Sequence, residues 1–294
     1  MSDEVLVTRE GHTLVVTINR PQARNALNRA ASEAIARAMD QLDQDADLVI
    51  GILTGAGAHF CAGMDLKAFL QGERVELDGR GLAGITETPP RKPIIAAVEG
   101  YALAGGCELV LACDLVVAAD NANFGIPEVK RGLIAGSGGL VRLPQRIPRQ
   151  IALEYALTGA MLPAKEARQW GLVNRLTDPG QALDGAREMA RAISANGPLA
   201  VQMTKRVMTE SHAWPAQELW VRQREILEQV IASHDAREGA LAFAEKREPR
   251  WKGACATSPT SIIMPAIPSF VNALRPTLTT FPMNVFGAVA VTRI

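Results

Sequence analysis

Three short stretches of this chain carry residues whose types and spacing could do chemistry. The first, Gly55-Ala56-Gly57-Ala58-His59-Phe60-Cys61-Ala62-Gly63-Met64-Asp65-Leu66, places small residues between a strand-like run and a helix start. Small residues let a ligand approach the backbone, and N–H groups exposed at such a turn can hold an anion or a developing oxyanion. The plain alternative is an ordinary strand-to-helix turn. The second, Gly100-Tyr101-Ala102-Leu103-Ala104-Gly105-Gly106-Cys107-Glu108-Leu109, repeats that order and adds a carboxylate. Glu108 precedes Leu109-Val110-Leu111-Ala112, which reads as a largely buried helix, where loss of solvent raises a carboxyl pKa and suits it to proton transfer. The alternative is a buried glutamate paired with an Arg or Lys. The third, Asn123-Phe124-Gly125-Ile126-Pro127-Glu128-Val129-Lys130, supplies another carboxylate, either a second proton carrier or a solvated helix start behind a Pro at its first position.

The elements around these stretches follow from periodicity. Val5 to Thr8 and Leu14 to Ile18 are β-patterned and flank Glu10-Gly11-His12, which predicts a hairpin. From Asn28, an N-cap, the apolar residues Ala31, Ala34, Ile35, Ala38, Met39 and Leu42 recur with helical spacing. Leu48 to Thr54, Ile94 to Val98 and Leu115 to Ala118 read as buried strands, with a helix from Gly106 to Ala112. The recurring order of strands and helix predicts an α/β core. From Gln150 onward the pattern is helical, over Ile151 to Leu157, Ala164 to Trp170, Ala182 to Ala195 and Ala216 to Ser233, with breaks at Pro163, Gly171, Pro179 and Gly197-Pro198.

Composition excludes several classes. The 294 residues are 48% hydrophobic, enough for a full core, and 31 basic residues balance 31 acidic ones. No overall positive field exists to hold nucleic acid or an anionic membrane. The first residues lack the basic-then-apolar pattern of a secretory signal, so a cytoplasmic location is expected. Cys61, Cys107, Cys113 and Cys255 form no C-x-x-C and are expected to be reduced, with no zinc cluster. Ala254 to Ile294 contains no acid and no lysine, is broken by prolines, and reads as either a native docking tail or read-through sequence.

Taken in order, these motifs resemble the crotonase, or enoyl-CoA hydratase, family from about Val5 to Gly253. The resemblance is carried by Asn19-Arg20-Pro21, Asn25-Ala26-Leu27, F-C-A-G-M-D-L, G-G-C-E-L, F-G-I-P-E, Leu157-Thr158-Gly159, Gly171-Leu172-Val173 and Ala242-Phe243-Ala244-Glu245-Lys246-Arg247. It implies a spiral of ββα repeats with a helical C-terminal region that makes trimers, often paired into hexamers. The domain boundaries expected on that basis are 1–195 for the core, 196–253 for the oligomerisation region and 254–294 for the atypical tail. It implies an oxyanion hole from the backbone N–H groups of Met64 and Gly105, with Glu108 deprotonating water and Glu128 supplying the proton to C2. Arg24, Ala26, Ala62, Asp65, Leu66 and Lys67 would hold coenzyme A, which is part of the substrate, and no metal or other cofactor is implied. The Gln71 to Pro89 segment would line the acyl pocket.

The function this implies is reversible, syn hydration of a trans-2-enoyl-CoA in lipid metabolism. The alternatives are an enoyl-CoA isomerase, a carnitinyl-CoA-type dehydratase and a non-catalytic acyl-CoA-binding protein. Ala104 stands where many hydratases have a third glycine, with no loss of function expected. Gly136-Ser137-Gly138-Gly139 is not a G-x-S-x-G elbow, and Gly55-Ala56-Gly57 lacks the rest of a nucleotide-binding fingerprint.

Overall fold

A computed structural model describes residues 4–253. The chain opens with the expected hairpin, β1 (Val5–Glu10) antiparallel to β2 (Thr13–Ile18). Helix α1 (Arg29–Gln44) starts where Asn28 accepts a hydrogen bond from Ala31 N at 2.9 Å, and it buries Ala31, Ile35, Ala38, Met39 and Leu42. Strand β3 (Ile50–Gly55) then lies parallel to β2. Gly51 lets α1 pack closely on this strand: a Cβ there would stand 2.9 Å from Leu42 Cδ2 and push that side chain aside.

A short helix α2 (Leu66–Leu70) and a small ribbon of β4 (Glu76–Leu77) and β5 (Gly81–Leu82) follow. The chain next runs through β6 (Ile94–Val98), β7 (Tyr101–Leu103), α3 (Gly105–Ala112), β8 (Leu115–Ala119), β9 (Asn123–Gly125) and a 3₁₀ turn at Pro127–Arg131. Helices α4 (Gly139–Arg146) and α5 (Arg149–Thr158), strand β10 (Leu162–Pro163), helix α6 (Ala164–Gln169), strand β11 (Arg175–Thr177) and helix α7 (Ala182–Ser194) complete the core.

Two sheets organise these elements. The larger has six strands in the order β1-β2-β3-β6-β8-β11, and the smaller has the order β10-β9-β7. Each repeat sends its first strand to the larger sheet and its second to the smaller one before turning into a helical segment, as in β6-β7-α3 and β8-β9 with the turn at 127. Earlier repeats keep the second strand only as single parallel bridges, Cys61 with Ala102 and Leu27 with Met64. This is the expected spiral of ββα units, mixed α/β throughout.

The central strands are apolar on both sides because both faces of the larger sheet are covered. Val15, Ile52, Ile95 and Val117 face α7 through Ala186 and Ala190. Val16, Leu53, Ala96 and Val116 face the main core with α1 and α3.

Beyond α7 come α8 (Pro198–Glu210), α9 (Leu219–Ile231) and α10 (His234–Glu245). Gly197-Pro198, which the sequence marks as a break, also opens a helix, since Pro198 occupies a first-turn position whose N–H would lack a partner anyway. Lys205 fastens α8 to the core through Asp114 Oδ2 at 2.7 Å and the carbonyls of Pro90 and Lys92. Trp220, Val221, Leu227, Ile231 and Phe243 of α9 and α10 are exposed. The reading of Ala254 to Ile294, and of Cys255 within it, lies outside the described residues.

Candidate active site

Two loops meet at the ends of the spiral strands. Leu27 N donates to Gly63 O at 2.8 Å and Asp65 N donates to Leu27 O at 2.8 Å. In this parallel bridge the residues flanking Met64 make the bonds, so Met64's own N–H and C=O point away from Leu27. Gly105 is the first residue of α3, where an N–H has no intrahelical acceptor. Neither N–H donates to a backbone acceptor among the described residues. The loops touch: a Cβ on Gly63 would stand 3.2 Å from Gly105 N, and one on Gly106 would stand 2.1 Å from Cys61 O. Glycine is thus required for the two peptide segments to approach.

Ala104 has φ 51° and ψ −127°, a conformation that L side chains rarely adopt. Its N–H is held by Gly125 O at 2.8 Å, which links this loop to the strand leading to Glu128. The residue expected to be a neutral replacement of glycine therefore sits under backbone strain next to Gly105.

Glu108 is 3% exposed, on a helix with every residue buried. Its Oε1 accepts from Ser137 N at 2.7 Å and Gly139 N at 2.8 Å. No Arg or Lys lies within ion-pair distance among the described residues, so it is not a buried salt-bridge glutamate. Burial pushes its pKa up, as does the charge of Glu76; the two N–H bonds and Arg142 act in the opposite direction. Ionisation is disfavoured on balance, although the carboxylate remains oriented.

Glu128 lies in the first turn of the 3₁₀ segment behind Pro127 and is partly buried. Its Oε2 is buried with no hydrogen-bond partner among the described residues. Its pKa is raised by burial and by the charge of Glu108, against its own backbone N–H and Arg131. The structure thus brings Glu108 and Glu128 within electrostatic reach of each other. Buried carboxylates in one another's field are a recurrent signature of proton-transfer sites.

The residues expected to hold coenzyme A form the rim. Arg24 is exposed in the left-handed region at φ 51°, and its carbonyl accepts from Ala62 N at 3.0 Å. Leu66 and Lys67 are exposed on α2, while Ala26 and Ala62 are partly buried. Neither Arg24 nor Lys67 makes an ion pair among the described residues. Asp65 differs from these: its side chain caps α2 through Lys67 N and Ala68 N and pairs with Arg20 at 2.9 Å. Burial opposes its ionisation, but Arg20 and these N–H bonds prevail and hold its pKa down. Its N–H is spent on Leu27 O and its carbonyl accepts from Phe69 N at 3.0 Å, so both its side chain and its backbone are engaged within the fold.

Several positioning groups escaped the sequence reading. Gly136-Ser137-Gly138-Gly139 fails as a nucleophile elbow but donates both N–H bonds to Glu108, and its glycine run ahead of a helix was the available signal. Arg20 Nη1 donates to Ala26 O and Asn25 Nδ2 donates to Ala56 O at 2.9 Å, so the N-R-P and N-A-L motifs tie the rim together. Cys61, Cys107 and Cys113 are unpaired and buried, and burial pushes their thiols up to about 12. Among the described residues no group of His, Cys, Asp and Glu is arranged to hold a metal ion, and no helix is long and apolar enough to cross a membrane.

Comparison with known proteins agrees with this architecture. The enoyl-CoA hydratase/isomerase family profile matches residues 8–254, and the chain belongs to that family. The crystal structure of an enoyl-CoA hydratase from Mycobacterium tuberculosis H37Rv is 61% identical, with a TM-score of 0.85, covering 86% of this chain and 100% of its own. Enoyl-CoA hydratase EchA19 of Mycobacterium tuberculosis is 45% identical over 256 residues, 85% of this chain and 96% of that protein. Carnitinyl-CoA dehydratase of Escherichia coli (strain K12) is 42% identical over 261 residues, 86% of this chain and 100% of that protein.

Proposed function

We propose that this chain is a hydro-lyase that adds water reversibly across the C2–C3 double bond of a trans-2-enoyl-CoA. The observation that carries the reading is the pair of electrostatically linked, partly or fully buried carboxylates, Glu108 and Glu128, beside two loops whose Met64 and Gly105 N–H groups have no backbone acceptor. The thioester oxygen accepts from these two donors. Because an enolate oxygen is more charged than a carbonyl oxygen, the donors stabilise the enolate more, and losing one typically costs about 3 kcal/mol. Glu108, ionised, takes a proton from water as its oxygen bonds to C3. The π electrons move onto the enolate, and Glu128, protonated, delivers its proton to C2 as the carbonyl reforms. Solvent exchange restores both carboxyl groups, and the reverse sequence dehydrates.

Coenzyme A lies along Arg24, Ala26, Ala62, Asp65, Leu66 and Lys67, with the two cations on its phosphates. No metal or further cofactor enters this scheme. The 1–195 core carries the site, and 196–253 presents the exposed apolar residues of α9 and α10 to other copies in a trimer or a dimer of trimers, in the cytoplasm. The carnitinyl-CoA dehydratase relatives support a second reading, in which the same site removes water from a polar 3-hydroxyacyl thioester. The deciding experiment follows loss of the enoyl-thioester absorbance with crotonyl-CoA and a longer enoyl-CoA. Turnover that is lost in Glu108→Ala and Glu128→Ala, with binding kept, supports hydration; binding with no turnover by the unaltered protein overturns hydration of these enoyl thioesters in favour of an isomerase, an enzyme of a different acyl group or a binding protein.

A further inference from the structure

We propose that Arg20 is a positioning residue for the reaction, whose guanidinium aims and polarises the Met64 N–H through a line of two peptide groups. The proposal rests on the reading of Met64 and Gly105 as the hole donors and adds what holds the first of them in place.

The two donors differ in what orients them. Gly105 opens α3, so the helix that follows fixes the direction of its N–H. Met64 lies in a loop, ahead of the five-residue α2 and outside it, and no helix aims it. Its direction comes from the Gly63–Met64 peptide, which is trans, so the N–H points opposite to the Gly63 carbonyl. That carbonyl accepts from Leu27 N at 2.8 Å. The Ala26–Leu27 peptide stands in the same relation one step back: its N–H serves Gly63, and its carbonyl accepts from Arg20 Nη1. One line of hydrogen bonds therefore runs from a cation, through two peptides, to the N–H of Met64. Each bond in such a line strengthens the next, by roughly 10–30%, and the polarity is the one that an oxyanion requires.

The guanidinium is itself fixed. The side chain is 13% exposed, Nη2 donates to Asp65 Oδ2 at 2.9 Å, and Nε faces Glu4 Oε1 at 3.5 Å. Its backbone is tied to Asn25: Arg20 N donates to Asn25 Oδ1 and Asn25 N donates to Arg20 O, each at 2.9 Å. Ala26 precedes Leu27 and Asp65 follows Met64, so the planar fork grips the Leu27–Met64 bridge on both of its strands. A lysine here would keep the charge between Glu4 and Asp65 but lose the fork.

The test compares the full chain with Arg20→Lys and Arg20→Met, each checked for folding by circular dichroism; an unfolded Arg20→Met leaves Arg20→Lys to decide. Steady-state kinetics with crotonyl-CoA are paired with isotope-edited infrared spectra of bound butyryl-CoA carrying carbon-13 at the thioester carbon. Its C=O stretch falls in frequency when the hole donors polarise it. The expected result is a kcat lower by about tenfold in Arg20→Lys and by about 10²-fold in Arg20→Met, the latter close to the loss of one hole donor, with KM changed by less than about twofold. The fall in carbonyl frequency shrinks in the same order. A raised KM with kcat kept, which would make Arg20 a shaper of the coenzyme A rim alone, overturns the proposal, as does a carbonyl frequency in the folded variants equal to that in the unaltered protein. Absence of butyryl-CoA binding, or of any fall in frequency, in the unaltered protein overturns the hole reading and this proposal together. Because the infrared readout needs no turnover, it decides independently of the hydration assay.

Discussion

The surroundings of Glu108 and Glu128 differ in a way that fits the different tasks proposed for them. Glu108 is fully enclosed on a buried helix, and its Oε1 is fixed by two N–H bonds from the turn ahead of α4. Glu128 is on a short 3₁₀ turn, less buried, with Oε2 lacking any partner among the described residues. The two donors offset part of the burial that disfavours the ionised form of Glu108 and aim its carboxylate, which suits a base. One with an unsatisfied oxygen in its neighbour's field favours its protonated form, which suits an acid. The contrast is between a fixed group and one poised to gain and lose a proton.

Removing the fixed member has the largest expected effect. Glu108→Ala lowers kcat by about 10³–10⁴-fold and Glu128→Gln by about 10²–10³-fold in the crotonyl-CoA assay; equal losses would erase the proposed division of labour. The pH profile of kcat/KM sharpens it. Glu108 must be ionised and its pKa is raised, so activity falls as pH drops through a value above the ordinary carboxylate range. Glu128 must be protonated and its pKa is raised, so activity falls as pH climbs through its own raised value. Glu128→Gln removes the alkaline limb; an unchanged limb would reassign the acid.

Stability gives a smaller effect of known sign. Because Glu128 binds its proton more tightly folded than unfolded, ionising it weakens the fold as pH rises from the unfolded carboxylate pKa through the folded one. Glu128→Gln should therefore raise Tm by about 2 °C at neutral pH and leave it unchanged in acid, measured by scanning calorimetry. An effect of similar size is expected beside Gly105: Ala104→Gly relieves the positive-φ strain but adds unfolded-chain entropy, for a net gain of about 1 kcal/mol in chemical denaturation.

Much of this was legible in the chain. The Asn28 cap, the hairpin around Gly11 and the paired strand-to-helix turns rest on local spacing, and Glu108 and Glu128 lie inside local motifs. What stayed hidden depends on contacts between distant segments. Ser137 and Gly139 meet Glu108 only after α4 folds back, and α4 itself was masked by Pro144 in its last turn. Leu82 reaches Gly105 through the β4–β5 ribbon, which no periodicity in Gln71 to Pro89 reveals. Conversely, Asp65 reads as a ligand residue by motif, yet its side chain is committed to Arg20 and α2.

The bridge between Cys61 and Ala102 has a consequence for the proposed oxyanion hole. Met64 is three residues beyond Cys61 and Gly105 three beyond Ala102, so the two donors occupy equivalent positions in consecutive turns of one spiral. The gap between them is then gauged by the pitch of the coil, the inter-strand spacing of about 4.8 Å. That pitch suits a single oxygen accepting from both N–H groups at about 2.9 Å each. The proposed claw is thus set by translation along the coil, provided that glycines such as Gly63 and Gly106 let the two segments approach.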